Sequence, residues 1–286
     1  MCSRPAAEFD WLHGDVRDLR ERYAGSFRVT DRGAGHWQTM EAGGQPLRLL
    51  IQRPARTRRR DRAILYFHGG GWIVGSPATH AEISRALCDR TGLTVISVDY
   101  RLAPEHVAPA PIEDGLAALA AALSAEDWGH SQAVLCGDSA GAAIALAVER
   151  HLDAGTRRDV LGVGSFYGGF GGLDSPSLRR WGSRERGMDA ACLARYWRLA
   201  NAPGEPSPYA GAALATPSSV PVYLLAGSHD PVLDDSLALA RAYEGCGRTF
   251  TLDLVEGEGH GFLHGVEVSA AATAAINRVS HWINGL

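Results

Sequence analysis

The chain of 286 residues predicts an α/β fold, with a mostly parallel central sheet and helices on both of its faces. Three observations carry this. Short apolar runs of strand length recur along the chain, and most are continuous rather than alternating, as in strands buried on both faces. Stretches with helical spacing lie between them, which is the rhythm of a parallel sheet. One long segment, 168–217, breaks that rhythm and contains no good strand.

The elements follow in order. Phe9, Leu12, Val16, Leu19 and Tyr23 give residues 1–25 a polar helical pattern. Strands are predicted over 47–51, 63–67, 93–98, 133–136, 160–166, 220–226 and 250–255. Helices are predicted over 80–90, 112–125, 140–152, 233–245 and 267–282. No internal repeat is present. The segment 168–217 holds Gly and Pro clusters and the aromatics Trp181, Tyr196, Trp197 and Tyr209. It reads as a mostly helical insertion over the carboxyl edge of the sheet, in the manner of a functional lid.

Composition limits the function classes. Apolar residues make up 45% of the chain, enough for a large buried core. A net charge of −4 gives no electrostatic case for nucleic acid or an anionic membrane. No apolar run reaches the roughly 18 residues of a bilayer span. The charged N-terminus lacks a signal-peptide core, so a cytoplasmic location is expected. The five cysteines (Cys2, Cys88, Cys136, Cys192, Cys246) match no disulfide or zinc spacing. Such usage suits a reducing compartment. Cys136 reads as a small core residue. The arginine-rich run 53–62 reads as a solvated loop.

The chemistry centres on Gly137-Asp-Ser139-Ala-Gly141. An apolar run precedes it and an Ala-rich helical run follows. A sharp strand-to-helix turn brings backbone against backbone, so small residues are needed on both sides of the serine. The turn exposes the Ser139 hydroxyl, and the following helix points its free N–H groups at the same place. Upstream, His68-Gly69-Gly70-Gly71-Trp72 follows another strand-like run. Consecutive glycines leave backbone N–H groups uncovered, as an oxyanion requires.

Two further loops supply an acid and a base. Asp230 follows the apolar run 220–226, and His260 follows 250–255. The order serine, acid, histidine and the position of each just past a strand suit loops that meet at the carboxyl edge. Asp234, Asp235, Glu256 and Glu258 are rival acids, ranked lower because they lie in the next helix or beside His260. His260 and His264 stand four apart, but Gly261 and Gly265 argue against a helix that would make them a metal pair.

With these motifs in view, the chain resembles the hormone-sensitive-lipase-like family of bacterial esterases. His68–Trp72, Asp99–His106, Gly137–Gly141, His229–Asp235 and Gly259–Phe262 carry the resemblance, which runs from about Leu47 to the C-terminus. It implies an α/β-hydrolase fold with residues 46–167 and 218–286 as the core, 1–45 as the N-terminal part of a cap and 168–217 as its inserted part. It implies Ser139 as nucleophile, His260 as base and Asp230 as the acid orienting it. The implied oxyanion donors are the N–H groups of Gly70, Gly71 and Ala140, with His68 orienting the glycine loop. Ala142 departs from the family, where many members have a second glycine.

The expected reaction is hydrolysis of short acyl esters, acetyl to about hexanoyl, with Trp72, Tyr167 and Trp197 walling the pocket. No metal or organic cofactor is called for. The expected partner is a small-molecule ester, with no nucleic acid and no membrane. The strand at 250–255 should end the sheet and leave a free edge, and the resemblance implies a homodimer paired through such strands. An amidase or deacetylase with the same triad is one rival. A small-molecule receptor of the same fold is another, and competent residues at all three triad positions argue against it.

Overall fold

The computed structural model describes residues 9–27, 35–124, 128–210 and 217–286. Cys2 and the ends of the predicted elements at residues 1–8 and 125 lie outside the described residues. Among the described residues one sheet has eight strands: β1 (His36–Ala42), β2 (Gln45–Gln52), β3 (Arg62–Phe67), β4 (Thr94–Asp99), β5 (Gln132–Asp138), β6 (Val160–Phe166), β7 (Val222–Gly227) and β8 (Phe250–Val255). Their order is β1-β2-β4-β3-β5-β6-β7-β8. The pairs β1–β2 and β2–β4 are antiparallel, and all the others are parallel.

The helices are α1 (Val16–Gly25), α2 (Ala81–Thr91), α3 (Ala110–Leu123), α4 (Ala140–Arg150), α5 (Pro176–Trp181), α6 (Ala190–Ala200), α7 (Leu233–Gly245) and α8 (Ala270–Gly285). Both faces of the sheet are covered, which explains the continuous apolar runs. In β3, Ala63, Leu65 and Phe67 join the core shared with α3, α4 and α7. Ile64 and Tyr66 join the opposite core, shared with α2 and α8. Each strand therefore needs apolar side chains at successive positions, not at alternate ones.

The sequence reading extends the cap to residue 45 and expects no strand there. His36–Ala42 instead pairs with β2 as the first strand of the sheet. The strand is polar and mostly exposed, so no apolar run marks it. Its signal is the turn: Ala42 pairs with Gln45 across Gly43 and Gly44, whose φ values are 57° and 79°. Two successive positive φ angles define the hairpin turn that Gly-Gly favours.

Strand order places the site. From β3 the chain crosses to β4 on one side, and β5 returns on the other. Loops leaving the carboxyl ends of β3 and β5 therefore diverge and leave a crevice between them. Both glycine-bearing motifs leave the sheet at that point. The N-terminal segment and the insertion meet above it. Arg195 of α6 donates to the carbonyls of Trp11 (2.8 Å) and Gly14 (2.6 Å). Arg20 of α1 donates to the carbonyls of Ile73 and Ala103, each at 2.7 Å, and also binds Glu105.

At the other end, β8 pairs with β7 and terminates the sheet. Cys88, Cys136 and Cys192 are buried free thiols, and Cys246 is an exposed one. The run 53–62 is mostly exposed loop. Among the described residues no helix is long and apolar enough to cross a membrane.

Candidate active site

Ser139 caps α4 at the end of β5, with φ 53° and ψ −120°. The turn is as tight as its small residues imply. A Cβ on Gly137 would overlap the Gly141 carbonyl, and one on Gly141 would overlap the Phe67 carbonyl. Among the described non-glycine residues, positive φ occurs at Trp72, Ser139 and Tyr167. All three follow the carboxyl ends of strands. Strain of this kind persists where surrounding packing over-determines the backbone, commonly at functional sites.

The structure brings the three predicted side chains together. Ser139 Oγ lies 2.9 Å from His260 Nε2. His260 Nδ1 lies 3.0 Å from both oxygens of Asp230. Asp230 is fully buried, and its Oδ1 also accepts from the Val232 N–H at 2.8 Å. With Nδ1–H donated to the carboxylate, Nε2 is left as an acceptor facing the serine hydroxyl. Burial of the His260 ring pushes its pKa down, but the Asp230 charge and hydrogen bond outweigh burial and raise it.

The rival acids are engaged elsewhere. Asp235 accepts from the N–H groups of Phe170 and Gly172, and Asp234 accepts from Ser177 N–H. They brace the start of the insertion. Glu256 is exposed, and the backbone of Glu258 accepts from His229 N–H. His260 has both ring nitrogens committed to Ser139 and Asp230. Phe262–Gly265 is a 3-10 turn, not an α-helix, so His260 and His264 do not form an i, i+4 metal pair.

The glycine loop is held from beneath. Gly69 donates its N–H to Asp138 Oδ1 at 2.9 Å, and Tyr66 donates its hydroxyl to the same oxygen at 2.7 Å. His68 Nδ1 lies 2.8 Å from the Gly69 carbonyl, and Tyr100 donates to the His68 carbonyl at 2.7 Å. Burial, reinforced by His80, lowers the His68 pKa to about 3, so its ring is neutral at ordinary pH. Gly70 adopts φ 121° and Gly71 φ 58°. The N–H groups of Gly70, Gly71 and Ala140 have no acceptor among the described residues.

Two cavities open beside Ser139. The smaller, about 50 Å³, is lined by Trp72, Ala140, Leu173, Leu193, Trp197 and Val232. Trp72 stacks on Tyr209 and packs against Trp197. The larger, about 300 Å³, includes Trp11, Tyr23, Phe27, Trp181 and Tyr196. Tyr167, predicted as a wall residue, lines this larger cavity and sets its ring edge-on to His260, with centroids 5.1 Å apart. Trp72 and Trp197 instead line the smaller one.

Sequence reasoning missed Asp138 and His80 altogether. Asp138 sits within the Gly137–Gly141 motif, and its placement just before Ser139 was the available signal. His80 has none, because only the fold carries the N-terminus of α2 to the end of β5.

A family model described as alpha/beta hydrolase fold matches residues 64–264. The chain belongs to this family. Two structures of an esterase from Pyrobaculum calidifontis are 26% identical to it. One, described as hyperthermophilic, covers 98% of this chain and 94% of its own, with a TM-score of 0.87. The monoclinic form covers 96% and 94%, with a TM-score of 0.84. An α/β hydrolase from the metagenome of Lake Arreo, Spain, shares the fold at 22% identity, covering 94% and 88%, with a TM-score of 0.82. The chain is an esterase-type serine hydrolase of the α/β-hydrolase fold.

Proposed function

We propose that this α/β hydrolase cleaves carboxylic esters with short acyl groups through a serine acyl-enzyme, using Ser139, His260 and Asp230. The observation that carries the reading is the continuous hydrogen-bonded series from Ser139 Oγ through His260 to buried Asp230. A serine hydroxyl is a weak nucleophile until a base removes its proton. His260 Nε2 takes that proton as Oγ attacks the ester carbonyl, and Asp230 stabilises the imidazolium that forms.

The carbonyl oxygen becomes an oxyanion facing the N–H groups of Gly70, Gly71 and Ala140. A donor of this kind contributes about 3 kcal/mol to the transition state. His260 then protonates the leaving alcohol. Water, deprotonated by the same ring, attacks the acyl-enzyme and releases the acid and free Ser139. Trp72 and Trp197 wall the acyl side, and Tyr167 packs behind His260.

Cavity size supports the substrate class. A space of about 50 Å³ is far below the roughly 300–1,000 Å³ of pockets for drug-sized ligands. It suits the acyl group, and the larger aromatic cavity suits the alcohol. A panel of p-nitrophenyl esters of graded acyl length tests this. Acetyl to hexanoyl esters are expected to give the highest kcat/KM, with a steep fall for longer chains. Equal or better turnover of long acyl esters would overturn the reading.

The base role also predicts a pH profile. His260 acts only when neutral, and its pKa is raised above the ordinary 6.5. Activity therefore falls as pH drops through that raised value. The acid limb of kcat/KM is expected to have its midpoint above 6.5. A midpoint below it, on a stable fold, contradicts the assignment.

A further inference from the structure

Beside the Ser139–His260–Asp230 series lies a second polar cluster. His80 at the N-terminus of α2, Asp138 at the end of β5 and His264 in the turn after β8 converge on the wall of the larger cavity. One ligand atom from each lies within 4.8 Å of the other two. His80 and Asp138 are almost completely buried, at 1% and 2% exposure. The Asp138 carboxylate is already oriented, because its Oδ1 holds Tyr66 and Gly69. Its Oδ2 faces His80 Nε2 at 3.4 Å.

That contact is too long for a strong hydrogen bond, and His80 Nε2 is buried with no well-aligned partner. A charge-assisted N–H···O contact would close to about 2.7–2.9 Å. The other ring nitrogen explains the gap. His80 Nδ1 lies 2.8 Å from Thr79 Oγ1, whose hydrogen is directed to the Ser76 carbonyl at 2.9 Å. In the tautomer that donates Nδ1–H to Thr79 Oγ1, which also accepts from the Ser76 N–H at 2.9 Å, Nε2 presents a lone pair to a carboxylate oxygen. In that tautomer two acceptors face each other in a buried site, and a shared cation relieves their repulsion.

The 3.4 Å between His80 Nε2 and Asp138 Oδ2 fits one. Bonds of 2.0–2.1 Å in tetrahedral geometry separate ligand atoms by about 3.4 Å. Thr79 and Tyr66 hold the imidazole and the carboxylate as outer-shell partners hold metal ligands. Two imidazoles and one carboxylate suit zinc and similar divalent transition metals better than calcium or magnesium. We propose that His80, Asp138 and His264 bind one divalent transition-metal ion, with an open coordination position toward the larger cavity. This site is separate from the Ser139–His260–Asp230 series and is not required for the ester chemistry.

The test uses the full chain stripped with EDTA and titrated with zinc chloride by calorimetry near neutral pH. Saturable binding of one ion per chain is expected. His264→Gln, at a half-buried position, should weaken it at least tenfold, whereas His260→Gln should leave it unchanged. No stoichiometric binding, equal affinity in His264→Gln, or loss in His260→Gln alone overturns the proposal. A readout on the unaltered chain guards against a variant that fails to fold. Zinc should shift the imidazole NMR signals of His80 and His264, and shifts confined to surface rings such as His36 would also overturn it.

Discussion

Ser139→Ala is expected to lower kcat for short esters by on the order of 10⁶-fold while leaving the fold intact. Removing the hydroxyl removes the atom placed 2.9 Å from His260 Nε2 to attack a carbonyl. Residual turnover would come from water bound near the oxyanion donors. Among the described residues Ser139 Oγ is hydrogen-bonded to His260 alone, so its loss frees one partner, which lines both cavities and can be hydrated there. The melting temperature should stay within a few degrees of the parent. Asp230→Asn should cost about 10⁴-fold, because an amide no longer selects the tautomer with a free Nε2. Stopped assays with a p-nitrophenyl ester and thermal melts of both variants check this. Near-parent turnover in Ser139→Ala would remove the nucleophile from the mechanism.

Gly141→Ala should be the most damaging small change in the chain. Its methyl group would overlap the Phe67 carbonyl, with the His68 carbonyl close behind. These are backbone atoms at the end of a central strand, and β3 pairs with β4 and β5 on either side. They cannot step aside as a flexible side chain would. Helix α4 must instead move away from β3, opening the turn that presents Ser139. A loss of about 3 kcal/mol or more is expected, with activity falling in parallel. Ala142→Gly, one residue along and also buried, should cost only about 1 kcal/mol by helix propensity. Urea unfolding of both variants compares them directly. A Gly141→Ala protein of parent stability would mean that the turn is looser than its geometry implies.

Much of the architecture was legible before the structure. Apolar runs marked seven of the eight described strands, most of them buried parallel strands of the sheet's centre. The eighth, β1, is polar because only part of it meets the core, and a Gly-Gly turn was its only mark. The interruption of rhythm at 168–217 was legible, but the way that segment attaches to the N-terminal residues was not. Arg195 and Arg20 look like surface cations in the sequence, and only in three dimensions do they bind backbone carbonyls of distant segments.

The tight turn at Ser139 is a local matter. Gly137 and Gly141 encode it wherever a strand meets a helix, because no larger residue fits. The order of Ser139, Asp230 and His260 along the chain is likewise written in one dimension. Distances across the fold are not. Ser139 and His260 are 121 residues apart, and their contact depends on strand order and register, which arise from packing two cores against one sheet. The same holds for His80, Asp138 and His264. Their meeting depends on long-range burial, which no short stretch of sequence specifies.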